Sequence, residues 1–392
     1  MILDIFHELQ LAKPWPPEHE RRLFEQTLEQ AKLADELGFG CWWTVEHHGA
    51  VEFSYSSAPE VVVAALAQHT ERLRFGHSGV LAPFAINHPV RVAERAAVTD
   101  ILSGGRLELG LARSGGTEWE TFGIDPESSR EQLREALHMI PAMWTQERFS
   151  WDSALLTVPE RDIVPKPLQK PHPPLWQTCT SPESFAMAGE LGVGSLATTL
   201  LSPLSSLGEL FDAYGDGLAR CRPAGAFVND QRAVFTFMHC GASERDVIES
   251  GAAEAALWFV NAAPRVFRAP RDLWLGAIRG ALQDDAPSAS AAVEDPHVDL
   301  SPDDDLDDPL PVIRLLNRQQ AGLPIDPEEA YEVVSQIESV VLGDVDHCRA
   351  KLARFKEIGV DRLMCLMSFG ALHQDAVLRS MRMTGEYLID AG

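Results

Sequence analysis

Apolar residues in this chain fall into short runs separated by longer stretches of helical spacing. Residues 3–6, 40–44, 73–76, 107–111 and 174–178 read as the first five strands, and 194–197, 233–238 and 362–366 as the sixth to eighth. Residues 24–37, 58–70, 88–102, 129–144 and 184–191 place apolar side chains three and four apart and read as helices; 375–388 follows the last strand. Gly38 and Gly104-Gly105 supply helix stops. Strands separated by helices of this length imply βαβ units and a parallel sheet. About eight such units in 392 residues predict a (β/α)8 TIM barrel with insertions, one domain spanning 1–392.

Two segments interrupt the pattern. Residues 146–173 are rich in Pro and charge and read as an ordered excursion. Residues 283–309 are rich in Asp, Ser, Ala and Pro and contain no Lys or Arg. Such a stretch offers little apolar area to offset its ordering entropy, so it is expected to be a mobile acidic insertion. Its place late in a barrel also suits an active-site lid.

Charge and cysteine usage narrow the function. A net charge of −25 repels phosphate backbones and disfavours nucleic acid as a partner. No run approaches the ~18 apolar residues of a membrane span. The start of the chain lacks a basic segment followed by a long apolar one, so a cytoplasmic location is expected. Six scattered cysteines without a CxxC pair read as reduced, mostly buried thiols.

The most informative chemistry lies at Trp42-Trp43-Thr44-Val45-Glu46-His47-His48. Residues just beyond a barrel strand face the reaction site, and His is the side chain most often used to carry protons near neutral pH. Adjacent histidines lack the four-residue helical spacing of a zinc motif, so no metal is expected. Strand four runs into Arg113-Ser114-Gly115-Gly116, where glycines allow a ligand close to the backbone. Strand five runs into Thr180-Ser181-Pro182-Glu183-Ser184, a helix start with free N–H groups and a ready anion site. Arg130, near the start of the preceding helix, is placed to contact a phosphate. Taken alone, a tight turn with a solvent-facing arginine and ordinary helix capping are the commoner uses of these features. No G-x-G-x-x-G follows strand one, so an internal nicotinamide-binding domain is not expected.

The order of these motifs resembles the bacterial luciferase-like flavin monooxygenases, in particular the luciferase α subunit. The likeness runs from Ala34-Asp35-Glu36-Leu37-Gly38-Phe39 through Glu46-His47-His48, His88-Pro89 and Leu102-Ser103-Gly104-Gly105-Arg106. It continues in Ala112-Arg113, Phe122-Gly123-Ile124-Asp125, Ser129-Arg130 and Thr180-Ser181-Pro182-Glu183-Ser184, and closes over residues 355–370. The resemblance implies a barrel that binds reduced FMN (FMNH2) at the strand ends. FMNH2 would come from a separate flavin reductase, and O2 would react with it to a flavin C4a-peroxide that oxygenates a small organic substrate. It implies acid–base work at His47, flanked by Glu46 and His48. It also implies phosphate contacts from Arg113 and Arg130 and from the turn Thr180, Ser181 and Ser184. Ala112 stands where the family's luciferase has a cysteine. A dry pocket is expected from the region of Trp42, Trp43 and Phe84. A homodimer is the expected assembly.

Two other readings remain open at this level. The same barrel serves deazaflavin-dependent oxidoreductases, and a non-catalytic flavin-binding subunit would resemble the luciferase β chain. The presence of His47 argues against the latter.

Overall fold

The computed structural model describes residues 1–282 and 306–389. Its strands are β1 Ile2–His7, β2 Cys41–Thr44, β3 Arg74–Leu81, β4 Leu107–Ala112, β5 Phe149–Asp152 and β6 Thr157–Arg161. They continue with β7 Leu175–Thr178, β8 Gly194–Thr198, β9 Arg232–Gly241, β10 Val341–Asp344 and β11 Arg362–Leu366. Eight of these, β1, β2, β3, β4, β7, β8, β9 and β11, run parallel and close on themselves through the β8–β9 pairing. Each corresponds to a strand read from the sequence, and helices on the outside link them. The barrel is therefore the predicted (β/α)8 fold.

β9 is ten residues long and serves two partners. Its first half pairs with β8 and β11 inside the barrel. Its second half, Met238 to Gly241, leaves the barrel and pairs with β10, a ninth parallel strand that the sequence did not announce. The segment between β9 and β10 contributes the helices Ala252–Phe267 and Arg271–Leu282, which cover the barrel mouth with an apolar surface. Residues 146–173 hold the antiparallel hairpin β5–β6, an ordered excursion as read.

Helix starts moved where capping chemistry outweighed periodicity. The helix read from residue 129 begins at Pro126, because Asp125 accepts the Glu127 N–H at 3.1 Å and Pro126 occupies the first turn. The helix read from residue 184 begins at Pro182 for the same reason, with Ser181 as its cap.

The lower layer inside the barrel is polar and fully paired. Asp4 accepts hydrogen bonds from Arg362 Nε at 2.7 Å and Nη2 at 2.9 Å, and from Trp43 Nε1 at 2.8 Å. Glu108 accepts from Arg74 Nε at 2.6 Å and Trp176 Nε1 at 2.8 Å. The two indoles meet edge to face with centroids 5.2 Å apart. They fit because Gly76 and Gly194 face them: a Cβ there would lie 2.1 Å from the Trp43 ring and 2.3 Å from the Trp176 ring.

Most of the acidic segment 283–309 lies outside the described residues. At its end Asp308 is buried, pairs with Arg279 and accepts the Leu310 N–H at 2.9 Å. All six cysteines are free thiols, five of them buried. Among the described residues, no helix is long and apolar enough to cross a membrane.

Candidate active site

The C-terminal strand ends surround a cavity of about 300 Å³. Most of the residues singled out from the sequence meet there. His47, Glu46, Arg113, Arg130, Thr180, Ser181 and Ser184 all line it, and His48 does not. His48 packs edge-on against Phe122, with ring centroids 5.0 Å apart, and its Nε2 lies 3.3 Å from Glu46 Oε1.

One end of the cavity suits an anion. Ser181 caps the helix Pro182–Leu191 in a capping box with Ser184. The N–H groups of Thr180 and Ser181 donate to Ser184 Oγ at 3.0 and 2.9 Å, and that hydroxyl donates to Ser181 O at 2.7 Å. The hydroxyls thus fix the turn, and the helix N-terminus adds its partial positive charge. A carboxylate already gains from this environment. The Ser181 hydroxyl and the Glu183 N–H, with the charge of Arg130, hold the Glu183 carboxyl below its usual range. Arg113 is aimed by Ser129, to whose Oγ its Nε donates at 2.7 Å, and by Pro126 O, to which Nη2 donates at 3.0 Å. Its guanidinium stacks over Trp119 at 5.6 Å.

In the same lining His47 stands between two carboxylates. Its Nδ1 lies 3.0 Å from Glu118 Oε1, and its Nε2 lies 3.9 Å from Glu8 Oε2. Glu118 sits on the short helix Gly116–Phe122 and is buried; Glu8 follows β1 and is also buried. Burial opposes the imidazolium. The hydrogen bond to Glu118 and the charges of Glu8 and Glu46 outweigh it, so His47 keeps its proton to higher pH than usual. Burial pushes Glu8 up to about 7 against the attraction of His47, with Glu118 adding to the rise. Glu46 is held otherwise. Its carboxylate accepts Leu81 N–H at 2.8 Å and Asn87 Nδ2 at 2.9 Å, and these bonds, with that to His48, bring it below its usual range despite burial. Glu46 thus ties the end of β2 to the end of β3.

Sequence reasoning missed Glu8 and Glu118. A single Glu after a strand and one inside a Gly-rich turn carry no motif. Being buried and facing a histidine makes them notable, and neither property is local in sequence. The aromatic wall also differs from expectation. Trp42 faces outward and stacks on His7, Trp43 points into the barrel below the cavity, and Phe84 borders a separate recess. Strand alternation sends neighbouring side chains to opposite faces, so two consecutive tryptophans cannot share one pocket. The wall is instead Phe6, Phe53, Phe235, Phe259, Phe267 and Trp274.

Several polar atoms in the lining lack a partner among the described residues: Glu8 Oε2, Ser114 Oγ, Gln177 Oε1, Thr178 Oγ1 and the indole nitrogens of Trp119 and Trp274. Buried polar groups left in this state cost free energy, so they point to a ligand that completes them. With the anion end beside them, they fit a phosphorylated heterocycle such as FMN.

A parallel barrel with a helix start and a buried, carboxylate-flanked histidine around a cavity at its strand ends is an architecture suited to a barrel enzyme. The family model described as luciferase-like monooxygenase matches residues 6–362, and the chain belongs to that family. The oxygenase component of a flavin-dependent trigonelline monooxygenase from Acinetobacter baylyi is 34% identical over 184 residues, 46% of this chain and 50% of that protein. An F420-dependent glucose-6-phosphate dehydrogenase from Microbacterium testaceum is 28% identical over 200 residues, 50% of this chain and 59% of that one. The chain thus spans about half the length of the curated relatives it matches. The crystal structure of a monooxygenase from Streptomyces bottropensis shares the fold with a TM-score of 0.72 at 22% identity, covering 99% of this chain and 98% of that one.

Proposed function

We propose that this protein is the oxygenase of a two-component system, using FMNH2 from a separate reductase and O2 to oxygenate a small organic molecule. The observation that carries this reading is one cavity lined both by a helix start with arginines suited to an anion and by a histidine held between carboxylates, within an aromatic wall. The relative from Acinetobacter baylyi, named as an oxygenase component, supports a reductase partner. When bound, reduced FMN supplies two electrons to O2; one oxygen atom enters the substrate and the other leaves as water.

The chain's own residues bind, orient and exclude water. Arg113, Arg130 and the turn Thr180, Ser181 and Ser184 hold the phosphate. The aromatic wall keeps the reacting end dry, which strengthens electrostatic interactions there. Glu118 orients the His47 ring through Nδ1, leaving Nε2 toward the cavity to give or take a proton. Glu46 and His48 fix the strand end that carries it.

The F420-dependent relative favours a second reading, a deazaflavin oxidoreductase. Anaerobic loading with FMNH2 or with reduced deazaflavin, followed by O2 and candidate substrates, separates the two. Oxygen-dependent product with FMNH2 alone supports the monooxygenase, whereas turnover confined to the deazaflavin, without O2 uptake, sinks it.

A further inference from the structure

The space between His47 and Glu8 is unaccounted for by the cofactor contacts. Glu8 is 4% exposed, faces the cavity, and its Oε2 has no hydrogen-bond partner among the described residues. The 3.9 Å to His47 Nε2 is too long for a hydrogen bond. A single oxygen placed about 2.8 Å from each atom fits between them at close to a right angle. An oxygen there must satisfy two different neighbours. The His47 ring nitrogen, protonated, can only donate; the Glu8 carboxylate, ionised, can only accept. A carbonyl or ether oxygen accepts from His47 and leaves Glu8 unpaired. An ammonium donates to Glu8 and meets the imidazolium charge. A hydroxyl does both at one atom.

The surroundings specify what bears the hydroxyl. The His47 ring meets Phe53 and Phe267 edge to face, with centroids 5.9 Å away in each case. Phe259 lies 4.9 Å from Phe53 on the same wall. A flat ring attached to the bridging oxygen lies against these faces and edges, where aromatic partners are preferred over aliphatic ones.

We infer that the inner end of the cavity is a subsite for a phenol, its hydroxyl donating to Glu8 and accepting from His47, its ring packed against Phe53, Phe259 and Phe267. This assignment rests on the proposed monooxygenase reading and names the substrate class for it. Sharing the hydroxyl proton with Glu8 raises electron density in the ring, which suits insertion of an electrophilic oxygen into a ring C–H bond. The electrons come from reduced FMN, and the second oxygen atom leaves as water.

The test is binding without turnover. The full chain, with and without oxidised FMN, is titrated by calorimetry with 4-ethylphenol, 4-ethylanisole, acetophenone and 4-ethylcyclohexanol. The phenol is expected to bind at least tenfold more tightly than each of the others. Glu8→Leu removes its advantage over the anisole. Glu8→Gln keeps an acceptor of the same shape, so it retains phenol binding but loses the pH dependence. In the parent protein, phenol affinity rises as pH is raised through the Glu8 titration, with His47, Glu118 and Glu46 the charged groups facing it. Equal affinity for the anisole or acetophenone overturns the hydroxyl assignment, equal affinity for the cyclohexanol overturns the phenol, and unchanged discrimination in Glu8→Leu overturns the role of Glu8. None of these readouts depends on O2, so phenol selectivity can fail while FMNH2-dependent oxygenation of another compound stands, and the reverse.

Discussion

The lower layer of the barrel and its mouth are built from the same kinds of residue, carboxylates set among cations and aromatic rings. In the lower layer every charge is answered: Asp4 by Arg362 and Trp43, Glu108 by Arg74 and Trp176. At the mouth Glu8 faces His47 across 3.9 Å, and hydroxyl, amide and indole groups stand without partners among the described residues. Satisfied buried polar groups rigidify a fold, and unsatisfied ones leave free energy to be recovered on binding. The difference sets a layer whose polar groups are completed within the chain against a cavity lining several of whose polar groups are not, among the described residues.

Four experiments probe that contrast, starting with the largest effect. Arg362→Ala strands the buried Asp4 charge and is expected to cost about 3–5 kcal/mol, read from urea unfolding. An unchanged midpoint would mean the lower layer is not structural. His47→Ala is expected to keep the fold while cutting turnover about 10²–10⁴-fold, the usual contribution of a positioned acid or base. Full turnover in that variant would remove His47 from the chemistry.

Glu8→Gln separates the two regions by sign. The folded-state pKa of Glu8 is raised from 4.5 to about 7, so its contribution is fully present below the unfolded value. It is lost as pH rises through about 7. The variant is therefore expected to equal the parent at pH 4 and to exceed it at pH 8, by up to about 3 kcal/mol. A variant less stable at pH 8 would contradict an unpaired Glu8. The smallest effect is Arg130→Ala, expected to weaken FMN by about 1.5–3 kcal/mol and riboflavin far less, since only FMN carries the phosphate. Equal losses for both flavins would place Arg130 elsewhere.

The barrel was legible because short apolar runs and helical periods are local, and each of its eight strands left such a run. β10 was not, because Val341-Leu342-Gly343-Asp344 is brief and gains its partner only when β9 overruns the barrel. The turn after β7 was legible for a similar reason: Ser181 and Ser184 are spaced as a cap. The surroundings of His47 were half legible. His47 stands out by its neighbours, but Glu8 and Glu118 acquire meaning only when β1 and the turn after β4 converge on it. Trp42 and Trp43 misled because a run of aromatics says nothing about which face each ring takes.

The overrun of β9 has a modular outcome. By leaving the barrel to pair with β10, it hands one side of the mouth to the continuous stretch between those strands, and that stretch supplies Phe259, Phe267 and Trp274. Glu8, His47, Phe53, Arg113 and the turn at Thr180, Ser181 and Ser184 come from earlier loops, after β1, β2, β4 and β7. One part of the aromatic wall is therefore encoded in a length of chain separate from the rest of the cavity lining. Grafting a different β9–β10 segment onto this barrel would exchange that part of the wall as a cassette, leaving the loops after β1, β2, β4 and β7 as they are.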